Sequence, residues 1–162
     1  MNTLSFADYR TPRALALLAG FLVVVFVVGG LIGVMNLPGA WYQALAKPPF
    51  NPPNWVFGPA WSALYVLIAI AGWRTFLNAP SSPRMWLWYG QMALNWAWSP
   101  VWFTLHALWP AFAVIMAILL LIVAFIVTSW RDGDRVSATL FVPYALWVGF
   151  ASSLNLAVAL LN

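Results

Sequence analysis

Apolar residues run through this chain in long, nearly unbroken stretches, separated by short clusters of proline, glycine, asparagine and charge. Stretches of about 20 apolar residues predict membrane-spanning helices. Five spans are predicted, over 14–35, 55–77, 85–105, 110–130 and 137–160. At a rise of about 1.5 Å per residue each matches a hydrocarbon core about 30 Å thick. The expected fold is an all-α integral membrane protein, a bundle of five transmembrane helices forming one membrane domain over residues 1–162. The linkers are short except 36–54, so sequential helices are expected to pack as antiparallel neighbours. No internal repeat of the kind many transporters carry is visible.

The breakers fit this map. "NLPGA" ends the first span, and "KPPFNPPN" cannot be helical, with Asn54 placed to cap the helix that follows. "NAPSSPR" separates spans two and three, Pro110 suits the first turn of span four, and "RDGD" makes the turn before span five. Pro59 suits either a kink or a first turn. Pro100 and Pro143 fall inside spans, where each removes one backbone hydrogen bond and predicts a kink. The first run, "TPRALALLAGFLVVVFVVGGLIGV", has an apolar core too long for the roughly 7–15 residues of a signal peptide, and is read as a retained span.

Charge then orients the bundle. Arg10, Arg13, Arg74, Arg84, Arg131 and Arg135 all fall on one side of a five-span protein, against Lys47 on the other. By the positive-inside rule the N-terminus lies inside and the C-terminus outside. The expected location is a bacterial inner membrane, with an outer membrane as the alternative. A net charge of +4 does not signal nucleic acid here, because the seven basic residues flank apolar runs. No cysteine is present, so disulfide and thiol chemistry are excluded.

The polar residues exclude more. No Asp, Lys, Arg or His falls near the centre of a span, which argues against an ion-driven pump. The three carboxylates Asp8, Asp132 and Asp134 flank spans, so no acid–base pair faces a pocket. His106 is the only histidine and reads as a solvated loop residue, and no metal site is expected. Met35, Met92 and Met116 read as packing residues.

What is left is aromatic. The run "ALNWAWSPVWF" at 93–103 sets three of the twelve tryptophans beside one asparagine and one proline. At helical spacing Asn95, Trp98 and Trp102 share a face, as do Trp61 and Tyr65, and Trp147, Ala151, Leu154 and Asn155. Asn95 and Asn155 are costly in hydrocarbon unless paired across helices or turned to a cavity. Trp41, Trp86, Trp88, Trp109 and Trp130 lie near span ends and read as an interfacial belt. Trp98 and Trp147 sit deeper, in the core or along a pocket wall. A pocket of indoles, phenyl rings and a few amides suits a flat apolar ligand with small polar edges, such as a tetrapyrrole or sterol.

These residues carry a resemblance. "GGLIG" at 29–33, "WYQALAKPPFNPPNWVFGPAWSALY" at 41–65, "LNWAWSPVWF" at 94–103 and "VPYALWVGFASSLN" at 142–155 occur together over most of the chain. With them the chain resembles a bacterial member of the translocator protein / tryptophan-rich sensory protein family, the peripheral benzodiazepine receptor-like proteins. The resemblance implies a five-helix bundle, often a homodimer, with a cavity between helices closed by the first linker. It implies binding of porphyrins, haem-like tetrapyrroles and benzodiazepine or isoquinoline carboxamide drugs, with no required cofactor. Carried over by motif position, the site comprises Trp61, Tyr65, Asn95, Trp98, Phe103, Trp147, Ala151 and Leu154, with Trp41 and the Pro-rich linker as lid. The animal sterol motif is not matched, since "LNLAVALLN" lacks its tyrosine and arginine.

The leading expectation is a membrane receptor or transporter-like protein that binds tetrapyrroles. The alternatives are an enzyme of light- or oxygen-dependent porphyrin degradation and a structural partner in a membrane complex. Gly29 and Gly33 form a Gly-x-x-x-Gly pair compatible with helix dimerisation, although packing within one chain explains them as well. Gly90, Ala93 and Ala97 offer a second face for close contact.

Overall fold

Helix boundaries fall where free backbone groups find a partner. Thr11, Ser82 and Asp134 each accept a hydrogen bond from the backbone N–H three residues on, and so cap the helices that follow them. Pro12 and Pro83 occupy first-turn positions, where a missing N–H costs nothing. Asn54 does not act this way: its side chain makes no capping bond, and a 3₁₀ turn over Asn54–Val56 leads into the next helix instead.

The computed structural model describes residues 8–162 and holds six α-helices among them, with no strand. They are α1 (Pro12–Met35), α2 (Ala40–Ala44), α3 (Phe57–Asn78), α4 (Pro83–Ser99), α5 (Leu108–Arg131) and α6 (Arg135–Leu161). α2 is a single short turn in the first linker; the other five form the bundle. Helices α1, α5 and α6, and α3 with the turn before it, are long and apolar enough to cross a membrane. The α-helical part of α4, at 17 residues, is shorter than the expected span. At Pro100 it gives way to a π-helical turn over Pro100–Thr104, closed by the Leu105 N–H donating to the Pro100 carbonyl at 2.9 Å. The break expected at Pro100 is thus a widened turn that ends the helix. α6, by contrast, runs on through Pro143.

Around the bundle the main neighbours run α1, α3, α6, α5, α4, with α4 returning to α1. The expectation that chain neighbours pack side by side holds only locally for α3 and α4. They are joined by a short turn, yet α3 lies mainly against α1 and α6. α3 and α4 meet closely at one place, where Gly72 faces the Trp88 ring and the Trp88 Nε1–H donates to the Ile68 carbonyl at 2.9 Å. A glycine is required there, because a β-carbon would lie 2.4 Å from the indole. Trp88 is therefore a buried helix clamp and not a member of an interfacial belt. Trp86, Trp109 and Trp130 remain exposed at helix ends as a belt requires. Gly29 plays the part of Gly72 between α1 and α3: its missing side chain admits the Tyr65 ring, so this glycine serves packing within the chain.

One end of the bundle is pinned by charge. Arg84, 2% exposed, pairs with Asp132 at 3.0 Å and Asp134 at 3.6 Å, and Arg74 pairs with Asp134 at 3.2 Å. Two of the arginines that orient the protein by sequence are thus also ties from α3 and α4 to the α5–α6 turn. Gly133 in that turn has a φ of 83°, which glycine adopts at no steric cost. Tyr9 and Arg74 stack nearby, and the Trp73 Nε1–H donates to the Ala14 carbonyl at 2.7 Å.

Candidate functional site

The opposite half of the bundle is hollow. Beyond the Gly72–Trp88 contact, a cavity of about 750 Å³ lies between α1, α3, α4, α5 and α6 under the first linker. Its volume falls within the range of small-molecule sites, roughly 300–1,000 Å³. Trp61 and Tyr65 of α3 face it from one side, and Asn95 and Trp98 of α4 from another. Trp147, Ala151 and Leu154 of α6 complete the wall, and Phe103 of the π turn joins them near the linker. Eight of the nine site residues expected from sequence therefore line one space.

Trp41 does not. Its ring stacks on His106 at 4.0 Å between centroids and meets the Trp102 edge at 6.3 Å, so it anchors the linker from outside the cavity. The lining position belongs to its neighbour Tyr42, which contacts Phe103 edge-on. Burial pushes the Tyr42 phenol above its usual pKa, so it stays a neutral donor. His106 is exposed, as a loop histidine should be, but its stack on Trp41 and its φ of 52° give it a structural place at the lid.

The lid is held by polar ties. The Lys47 ammonium donates to the carbonyls of Tyr42, Leu45 and Gln43 at 2.6, 3.1 and 3.3 Å, at the C-terminal end of α2. The Asn162 side chain, just past α6, pairs with both backbone groups of Ala46, accepting its N–H at 3.0 Å and donating to its carbonyl at 3.1 Å. Asn36, at the end of α1, accepts a hydrogen bond from Thr104 of the π turn.

The polar groups at the cavity are few, and none of the described lining residues is charged. Asn95 donates to the Tyr144 hydroxyl at 2.9 Å, and that hydroxyl donates to Gln91 Oε1 at 3.0 Å. This chain satisfies Asn95 from behind and fixes its amide at the wall. The Nε1 atoms of Trp96 and Trp98 and Oδ1 of Asn155 are buried without a partner in the protein. Trp98 stacks on Trp102 with ring centroids 5.7 Å apart and planes 15° from parallel. The arrangement is a mostly apolar, aromatic container with amide groups at fixed points. It supports burial and stacking of a flat ligand, and offers no acid–base pair.

The description "TspO/MBR family" fits residues 19–161, nearly the whole chain. The chain belongs to the TspO/MBR family. Protein CrtK of Rhodobacter capsulatus is 38% identical over 143 residues, covering 86% of this chain and 89% of that protein. The tryptophan-rich sensory protein of Cereibacter sphaeroides is 36% identical over 132 residues, covering 80% and 82%. The translocator protein of Homo sapiens is 34% identical over 124 residues, covering 73% and 72%.

Within this TspO/MBR chain, sequence reasoning missed Tyr144 and Gln91 as supports of Asn95. Their spacing from Asn95 gives no local signal, since Tyr144 arrives from a helix 49 positions away. Asn155 was legible as a polar position on the α6 stripe, and it does reach the cavity wall.

Proposed function

We propose that this protein is a multi-pass membrane receptor or transporter-like protein that binds porphyrins and related tetrapyrroles in the cavity beneath the first linker. The observation that carries the reading is the aromatic space of about 750 Å³, with no charged residue among its described lining. A planar macrocycle buries its faces against Trp61, Trp98 and Trp147, and its polar edge reaches the linker and the amides. The described lining residues include no His, Cys or Met to bind a haem iron axially, and only the Tyr42 and Tyr65 phenols are of a ligating type, so in this reading affinity rests mainly on the ring and its edge. Benzodiazepine and isoquinoline carboxamide compounds suit the same space.

The test is a titration of the reconstituted protein with protoporphyrin IX, read by porphyrin fluorescence anisotropy. Trp98→Leu and Trp147→Leu are expected to weaken binding on the order of tenfold each, the loss of one stacked indole at about 1–2 kcal/mol. Saturable binding of equal strength in the wild type and both variants would remove the cavity from the proposal.

One observation favours a second, catalytic reading, light- or oxygen-dependent porphyrin degradation. Trp98, an electron-rich ring at the cavity wall, is stacked on a second indole. A new absorbing product formed under illumination, and lost in Trp98→Leu, separates this reading from simple binding.

The same proposal gives α4 with its π turn as the fifth crossing. Alone, 17 residues span about 26 Å, and the added turn brings the segment to bilayer thickness. Arg84 near one end and His106 beyond the other lie at opposite ends of the bundle, which supports that crossing. Six arginines at one end against Lys47 at the other support an N-terminus on the inner side of a bacterial inner membrane. Reporter fusions at the two termini test this orientation. The family resemblance supports a homodimer, tested by the mass of the detergent-solubilised particle; a sterol is not proposed as ligand.

A further inference from the structure

The outer surface of the bundle carries a groove between α3 and α6, away from the cavity. Arg135, Thr139 and Pro143, spaced by four along α6, form one wall line; Leu140 stands beside them and Leu67 faces them from α3. Its volume is about 470 Å³. Pro143 opens it, since a proline ring is short and leaves the Thr139 carbonyl without its helical donor. Apart from its Arg135 end and the Thr139 hydroxyl, which is already bonded to the Arg135 carbonyl at 2.8 Å, the groove is apolar.

Charge at the Arg135 end is unbalanced. Asp132 and Asp134, the carboxylates of the adjoining turn, are engaged by Arg84 and Arg74. No ion pair reaches Arg131 or Arg135 among the described residues, and both side chains are exposed. The Arg135 guanidinium lies 5.6 Å from the centroid of the Trp130 ring, itself 55% exposed. An indole and a guanidinium side by side at a helix end are the groups that settle at the headgroup level of a bilayer. Beyond Arg135 the groove is lined by Leu67, Val136, Leu140 and Pro143, with the already bonded Thr139 hydroxyl as its one polar side chain.

We propose that this groove is a binding site for an anionic glycerophospholipid, with the headgroup phosphate at Arg135 and one acyl chain laid between α3 and α6 over Leu67, Leu140 and Pro143. The groove supplies the chain contact and the unpaired arginine the selectivity, so zwitterionic lipid of the same chain length binds less well. Arg131, next to Trp130 in sequence but outside the groove lining, contributes to the general field only.

Full-length protein is released from mixed vesicles of phosphatidylglycerol and phosphatidylcholine with identical chains, and retained lipid is counted by native mass spectrometry. Phosphatidylglycerol is expected to be retained about fivefold over phosphatidylcholine, the worth of one basic group near an anionic headgroup. Arg135→Gln abolishes that preference, and Arg131→Gln leaves most of it. Leu140→Trp, which fills the groove and leaves both arginines in place, lowers retention of both lipids. Equal retention of the two lipids by the wild type, or a preference that survives both Arg135→Gln and Leu140→Trp, overturns the proposal. Thermal unfolding of each variant in detergent shows that the fold is kept, and Val136→Trp, at an exposed residue that also lines the groove, replaces Leu140→Trp if that variant fails to fold.

Discussion

A methyl group added at Gly72 would sit 2.4 Å from the Trp88 ring, and the ring cannot move away without giving up its bond to Ile68. Overpacking of this kind costs about 1–3 kcal/mol, against a helix-propensity gain of at most about 1 kcal/mol for replacing glycine. Gly72→Ala is therefore expected to lower the unfolding temperature in detergent by several degrees. Gly20→Ala, where nothing lies within 4 Å, is expected to leave it unchanged or raise it. The tryptophans sort by the same test of contact. Trp88 lies near a span end, as an interfacial indole does, yet its burial follows from a glycine on another helix, and no window of sequence around Trp88 contains that information. Trp98 and Trp147 are separated from the belt by depth alone, and depth was legible.

At the scale of elements, the first linker is held by Lys47, by Asn162 and by the Trp41–His106 stack. Asn162→Ala removes both bonds to Ala46, each worth about 1 kcal/mol net. Amide exchange across residues 40–46 is expected to quicken on the order of tenfold, with porphyrin association and dissociation both faster and the affinity little changed. Unaltered exchange would show that the aromatic stack alone holds the lid. Helix positions were readable because proline and glycine clusters punctuate apolar runs; the caps at Thr11, Ser82 and Asp134 were not singled out, and the one that was, Asn54, does not cap. The lid's attachment was not readable, because Asn162 and Ala46 are 116 positions apart. Trp41 was assigned to the site for its place in a motif; one helical position decides that Tyr42 faces the cavity in its stead.

At the scale of the molecule, the two ends of the bundle are built differently. One is a close-packed end tied by Arg74, Arg84, Asp132 and Asp134; the other is a hollow end under a strap. Arg84→Met leaves Asp132 without its ion-pair partner and Asp134 with Arg74 alone, at a site where Arg84 is 2% exposed. Breaking a buried pair costs about 3–5 kcal/mol, and the 41% exposure of Asp132 places this case at the lower end. Chemical or thermal unfolding in micelles should register that loss, while Asp132→Asn, at the more exposed partner, costs less. Charge sidedness was legible in the sequence, but the ion pairs were not, since they depend on which helix ends meet.

The circuit of helices departs from chain sequence at one step, and that step has a consequence for how the protein is made. α3 takes one of its two principal flanks from α6, which follows it on the chain only after α4 and α5. Until the 27 residues of α6 arrive, the second long helix lacks one flank, and the chamber has no wall there. α1 with α3, and α4 with α5, make contacts that need no α6, whereas the chamber closes only when α6 docks.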